Sequence, residues 1–250
     1  MTFPTVGSHR VWSLNDDPFA RVLVICAHPD DVDFGCSATV ATFSERGTEV
    51  AYCIATDGEA GGSDRAQPRA EMAEIRRKEQ TAAAATVGVT DIRFLGHPDG
   101  RLSPTMELRR DFTRAIRDFK PDLVIAPSPE RRWDIIFASH PDHLAAGEAA
   151  VGAVYPDSRN PFAHPELLDE GLEPHTVAAL WLMASPVSNV AVDITETLDR
   201  KVAALACHES QGAADPSTAQ RMSDWARGSA ASAGLPEGRM AELFWAVATG

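Results

Sequence analysis

The chain has 250 residues, 44% of them hydrophobic and 24% charged, with a formal net charge of −13, ordinary proportions for a soluble globular protein with enough chain to bury a sizeable core. That acidic balance excludes a nucleic-acid backbone or an anionic membrane surface as the partner, because there is no basic excess to displace counterions. No apolar run approaches the roughly 20 residues of a membrane span, residues 1–20 lack the order of a signal peptide, and the four cysteines without a Cys-x-x-Cys pair read as free thiols of a reducing cytoplasm.

Taken in chain order, "RVLVICA" (21–27) is a β-branched apolar run that suits a strand covered on both faces. A helix is expected over 34–46, closed by Gly47, and a second strand over 48–56. The loop "DGEAGGSDRAQP" leads into a long helix over 69–87 that Gly88 closes. Further expectations are a strand at 91–95, a helix at 106–119, a strand at 122–127 and a helix at 140–154. Residues 156–175 read as an irregular, proline-rich excursion, followed by strands at 177–183 and 190–194 and a helix at 195–208. The Ala- and Ser-rich tail from residue 211 reads as two more helices. Alternating strands and helices imply right-handed crossovers and a mostly parallel sheet with helices on both faces. The expected architecture is one α/β domain over 1–250, a Rossmann-like three-layer sandwich.

His-Pro-Asp occurs three times, in "CAHPDD" (26–31), "GHPDG" (96–100) and "SHPDH" (139–143), where composition predicts only ~0.04 copies by chance. Each copy follows an expected strand, and ligands of open α/β sheets gather beyond the carboxyl ends of the strands. His28 and Asp31 are three residues apart in a proline-restricted turn that can aim an imidazole and a carboxylate at one centre. His140 and His143 fall on one side of a helical first turn. Two nitrogens and a carboxylate with an open fourth position form the catalytic rather than the structural zinc pattern. Asp30 and whichever histidine does not coordinate are then left as a base and an acid beside the metal. Asp142 is placed to hold an imidazolium. The middle copy, Pro-Asp-Gly, is turn chemistry, and each copy alone would be read as a plain turn. His9, His164 and His175 read as loop or surface residues, and His208 as packing or pocket lining. Trp133, Phe137 and Trp181 are candidates for a cleft wall or for core.

These segments resemble the PIG-L (LmbE-like) family of zinc-dependent de-N-acetylases. "AHPDD" and "HPDH" are similar to its signature pair. "ATDGEAGG" (55–62), "RRKEQTAAAATVGV" (76–89), "FLGHPDGRL" (94–102) and "DITETLDRKVAALACHESQ" (193–211) extend the likeness over about 20–210, leaving 211–250 as a helical tail. The resemblance implies one Zn²⁺ per chain, held by His28, Asp31 and His143. It makes Asp30 the general base, His140 the acid or oxyanion partner and Asp142 the group that tunes it. Arg76 and Asp99 would contact the sugar. An imidazole beside a carboxylate tends to stay protonated near neutrality, which suits that role for His140. A mycothiol-pathway member carries a tyrosine two residues before the first histidine of "HPDH", and here that position is Ala138.

The expected function is therefore hydrolytic removal of an acetyl or other acyl group from the nitrogen of an amino sugar or related glycoconjugate. The loops at 57–68, 127–138 and 156–175 would choose the acceptor. One alternative is an amidase cleaving thiol–sugar conjugates at the same site, and another is a metal- and sugar-binding protein without turnover. Intact Asp30 and His140 argue against the latter. A nucleotide-binding protein is disfavoured, since no Gly-x-Gly-x-x-Gly follows the first strand. Nothing in the sequence sets the oligomeric state, so a homo-oligomer stays open.

Overall fold

A computed structural model describes residues 3, 8–12, 19–62 and 64–250. The elements are β1 (Arg10–Val11), β2 (Arg21–Cys26), α1 (Asp31–Gly35), α2 (Ser37–Glu45), β3 (Glu49–Thr56), α3 (Arg69–Thr86), β4 (Asp91–His97), α4 (Met106–Phe119) and β5 (Leu123–Pro127). They continue with α5 (Pro141–Val154), α6 (Glu166–Asp169), β6 (Ala179–Met183), β7 (Val190–Asp193), α7 (Leu198–Ala206), α8 (Pro216–Ser232) and β8 (Ala241–Ala248). The strands form one sheet in the order β1-β7-β8-β6-β5-β2-β3-β4. Only β8 is antiparallel to its neighbours.

The side-chain alternation of a strand divides β2 between two cores. Val22 and Val24 pack with Val40 and Phe43 of α2, Ala83 and Ala84 of α3 and Ala204 of α7. Leu23 and Ile25 face the other way, into Leu108, Phe112 and Ile116 of α4 and Ala146, Ala149 and Ala150 of α5. Both faces are covered, as a parallel sheet requires, and this explains the unbroken apolar run. The expected three-layer α/β sandwich with a mostly parallel sheet is the observed one. All four cysteines are free, and Cys26, Cys36 and Cys53 are buried. Among the described residues no helix is long and apolar enough to cross a membrane.

The tail departs from expectation. α8 is helical, but the second expected helix is the strand β8, inserted between β6 and β7. Its sequence, "AELFWAVA", is no stronger as a strand than as a helix. The unpaired edges of β6 and β7 decide the outcome, since pairing there satisfies ladders on both sides. Glu242 of β8 is buried and meets Lys201 Nζ at 2.5 Å and the Thr39 backbone N–H at 2.8 Å, which pins the tail to α7 and α2. The helix expected over 34–46 is divided at Cys36, whose φ of −152° lies outside helical geometry. The short β1, paired with β7, was not expected.

Candidate active site

β2 lies between β3 and β5 in the sheet. The chain leaves β2 towards β3 and returns from β4 to β5, so the connections diverge at the carboxyl ends of β2 and β5. Such a switch point opens a crevice. Residues 28–31 follow β2 and residues 139–143 lead from the β5 loop into α5, so both signature turns face it.

The first turn is closed by its own acid. Asp31 Oδ2 accepts the backbone N–H groups of Ala27 (3.1 Å) and His28 (2.8 Å). Asp30 is left-handed, with φ 91° and ψ −25°, and its carbonyl accepts the N–H groups of Asp33 and Phe34 at the start of α1. On the other side His140 caps α5, its Nδ1 accepting the Asp142 N–H at 3.2 Å. A backbone N–H can only donate, so the neutral His140 ring carries its proton on Nε2. His143 Nδ1 lies 3.3 Å from the carbonyl of Ala138, an acceptor, which leaves His143 Nε2 as the ring's lone-pair nitrogen.

The two turns meet. Asp31 Oδ2 lies 3.5 Å from His28 Nδ1, and Asp31 Oδ1 lies 2.9 Å from His143 Nε2. The ring centroids of His28, His140 and His143 are 5.1 to 5.4 Å apart. Donors around an ion with bonds of about 2.0–2.1 Å stand roughly 3.3 Å apart, so Asp31 stands near ligand spacing from each of the two rings. The far nitrogen of His28, Nε2, faces Asp99 Oδ1 (3.1 Å) and Asp142 Oδ2 (3.2 Å). His28, His140 and His143 bring their donor atoms within 4.8 Å of one another, and so do His28, Asp99 and Asp142. Those carboxylates are already engaged, Asp99 with the Ala60 N–H and Asp142 with the N–H groups of Gly100 and Leu102. A carboxylate pair that holds the remote nitrogen fixes the ring's tautomer and direction.

Two expectations change here. The carboxylate of Asp142 goes to His28 and not to His140, because only its backbone amide reaches the His140 ring. His140 is not held as a cation either. Burial, then the positive rings of His28 and His143, lower its pKa below the ordinary histidine value. Burial disfavours the His28 cation, yet Asp31, Asp142 and Asp99 outweigh it and push that ring up to about 12. His143 is raised too, with burial opposing and Asp31 prevailing. Burial resists ionisation of Asp31, but His143 and then His28 hold it well below the usual carboxylate range. Asp30 goes the other way, since burial lifts it to about 6 against the pull of Arg76. The buried Asp31 thus favours the protonated form of both imidazoles, and a cation entering there competes with those protons.

Arg76, expected at the sugar, is 4% exposed. Its Nη2 donates to Asp30 Oδ2 (3.0 Å) and the Pro29 carbonyl, and its Nη1 to the Gly58 carbonyl (3.1 Å). A Cβ at Gly58, where φ is +66°, would overlap the guanidinium, which accounts for glycine there. Arg76 and Asp99 both border the cleft while bracing Asp30 and His28. Of the middle His-Pro-Asp, Asp99 therefore joins the site, whereas His97 turns away to Asp111 (3.1 Å).

The cleft has a volume of about 790 Å³, with His28, Asp30, Asp31, His140 and His143 in its lining. Ala138 and Phe137 border it from the β5–α5 loop, with Phe137 75% exposed. Trp181 is fully buried core, while Trp133 is exposed outside the cleft lining. Residue 63, in the loop at 57–68, lies outside the described residues. The sequence reading missed the contribution of the tail, where Arg221, Met222 and Trp225 of α8 complete the wall. No motif announced them. His208 is fully buried with Nε2 2.8 Å from Asp33 Oδ2, and His164, expected at the surface, is buried against Asp157. Of the remaining two, His175 reaches the Pro121 carbonyl and His9 the Ser188 hydroxyl, both at 2.8 Å.

Known proteins are similar to this chain in sequence and in fold. The chain is 33% identical over 199 residues to the diacetylchitobiose deacetylase of Thermococcus kodakarensis, covering 78% of this chain and 73% of that protein. It is 26% identical over 252 residues to the 1D-myo-inositol 2-acetamido-2-deoxy-α-D-glucopyranoside deacetylase of Rhodococcus erythropolis, covering 80% and 84%. The structure of N,N′-diacetylchitobiose deacetylase from Pyrococcus horikoshii superposes with a TM-score of 0.85 at 31% identity, over 94% of this chain and 86% of that one. Residues 23–154, which carry both signature turns, match the PIG-L, or GlcNAc-PI de-N-acetylase, family. The chain belongs to that family.

Proposed function

We propose that the protein is a zinc-dependent N-deacetylase that hydrolyses the amide of an N-acetyl amino sugar or related glycoconjugate in the cytoplasm. One observation carries the reading. The Asp31 carboxylate bridges His28 Nδ1 and His143 Nε2 on the floor of the cleft, with Asp30 and His140 also lining it. Two nitrogens and one carboxylate suit Zn²⁺ with a position left for water, so His28, Asp31 and His143 are assigned as its ligands. When bound, Zn²⁺ supplies Lewis acidity for the water and the amide carbonyl.

The residues of the chain do the rest. Asp30 accepts the proton of the attacking water, and its pKa of about 6 suits a base that must later return it. Arg76 keeps its Oδ2 aimed. The Nε2–H of His140 donates to the carbonyl oxygen as negative charge develops there, a task the ring can perform in its neutral form. Protonated Asp30 then passes its proton to the departing amine. Asp99 and Asp142 hold His28 in the orientation that keeps Nδ1 towards the ion. Arg76 and Asp99 stand close enough to the cleft to meet the sugar as well.

The test is acetate release from a panel of N-acetyl amino sugars and thiol–sugar conjugates, with and without chelator, alongside metal analysis. We expect about one zinc per chain and chelator-sensitive release of acetate. Release undiminished when the metal is gone would overturn the reading. Preferred turnover of conjugates carrying a longer acyl group would favour the amidase alternative.

A further inference from the structure

We propose that Gln80, Asp33 and His208 are positioning residues that lock the main chain of Asp30. The inference rests on the assignment of Asp30 as the base.

Asp30 is held at two points by one helix. Arg76 of α3 takes its carboxylate, and one turn on, Gln80 takes its backbone, the Asp30 N–H donating to Gln80 Oε1 at 2.7 Å. Because an N–H can only donate, the Gln80 amide has a single orientation, with its NH₂ turned to Asp33 Oδ2 at 3.0 Å. The same oxygen lies 2.8 Å from His208 Nε2. The segment carrying His208 is tied back to α3, where Glu79 accepts the Ser210 N–H and hydroxyl at 2.7 Å each. A continuous chain thus runs from His208 through Asp33 and Gln80 to the amide of Asp30.

The chain ends on a residue that needs it. A left-handed aspartate is tolerated, but it relaxes towards commoner backbone regions unless its surroundings hold it. Loss of the Gln80 acceptor would let the peptide turn and carry the carboxylate away from the water it must meet. Stability alone is a poor explanation of the trio. Gln80, Asp33 and His208 are fully buried, yet Asp33 Oδ1 and His208 Nδ1 lack hydrogen-bond partners among the described residues. Apolar side chains would fill that space without the desolvation cost. None of the three lines the cleft, so they act through Asp30 and not on substrate.

The experiment uses metal-replete enzyme with N,N′-diacetylchitobiose as probe. Gln80→Met keeps the side-chain volume and removes the acceptor. It should lower kcat on the order of 10²-fold, with KM and metal content within about twofold of the parent. His208→Ala should lose kcat similarly, and His208→Gln, which returns an N–H to Asp33, should recover most of it. A merely structural trio would shift Tm in all three variants and leave kcat alone at temperatures well below the melt. Unchanged kcat in a folded Gln80→Met enzyme overturns the proposal. If that variant does not fold, equal kcat for His208→Ala and the parent does so. Asp30→Asn is measured beside them. If it is inert while Gln80→Met is normal, only the positioning chain fails, and if Asp30→Asn is active, the base assignment fails with it.

Discussion

The two walls of the cleft are built in opposite ways. On the β2 side, residues 28–31 are tied from every direction, Asp31 to backbone amides, His28 to Asp99 and Asp142, and Asp30 to Arg76 and Gln80. On the facing side, Phe137 and Trp225 present large apolar surface to solvent, 75% and 42% exposed. In the proposed reaction the groups on the first wall are thus held by buried hydrogen bonds, while the second wall consists of side chains with room to adapt. Changes on the first wall should alter rate, and changes on the second should alter which substrate is accepted.

The largest expected effect tests the rigid wall at its centre. His28→Ala or His143→Ala should weaken zinc binding by more than about 100-fold and abolish most turnover, as read by metal analysis and acetate release. Asp30→Asn should keep its metal and lose about 10²–10⁴-fold in kcat. The pH profile follows from the same carboxylate. With ionised Asp30 as the proposed base, kcat/KM should fall as pH drops through about 6, where the protonated form takes over. Asp142→Asn should cost about 10–100-fold in metal affinity or activity, because His28 loses an orienting acceptor. The smallest effect belongs to the facing wall. Phe137→Ala or Trp225→Ala should raise KM roughly 2- to 10-fold at nearly constant kcat, the loss of about 0.5–1.5 kcal/mol of aromatic contact. A large kcat loss there, or a pure KM effect from Asp30→Asn, would erase the contrast between the walls.

What the sequence made legible was periodic or local. The apolar runs at 21–27, 48–56 and 122–127 are strands because parallel sheets bury both faces. Connectivity then put residues 28–31 and 140–143 at one switch point. What it hid depends on distant partners. The Asp142 carboxylate crosses 114 residues of sequence to reach His28, although His140 and His143 are its nearer neighbours in the chain. Gln80 lies next to the Arg-x-x-Glu stretch with nothing to mark its carbonyl oxygen as the acceptor for Asp30. The His140 pKa goes down and not up because burial, and then the neighbouring His28 and His143 rings, oppose its charge, a consequence of three-dimensional crowding. The ambivalent "AELFWAVA" became a strand because β6 and β7 offered it two edges.

That last strand has a consequence for synthesis. Among the described residues, β7 and β1 join the rest of the sheet only through β8, the last of these strands in chain order. While a ribosome is still adding those residues, the nascent sheet stops at β6 with a bare ladder of N–H and carbonyl groups, the kind of edge that recruits stray strands from neighbouring chains. Arrest of synthesis before residue 241 would therefore leave that edge of β6 open to stray strands.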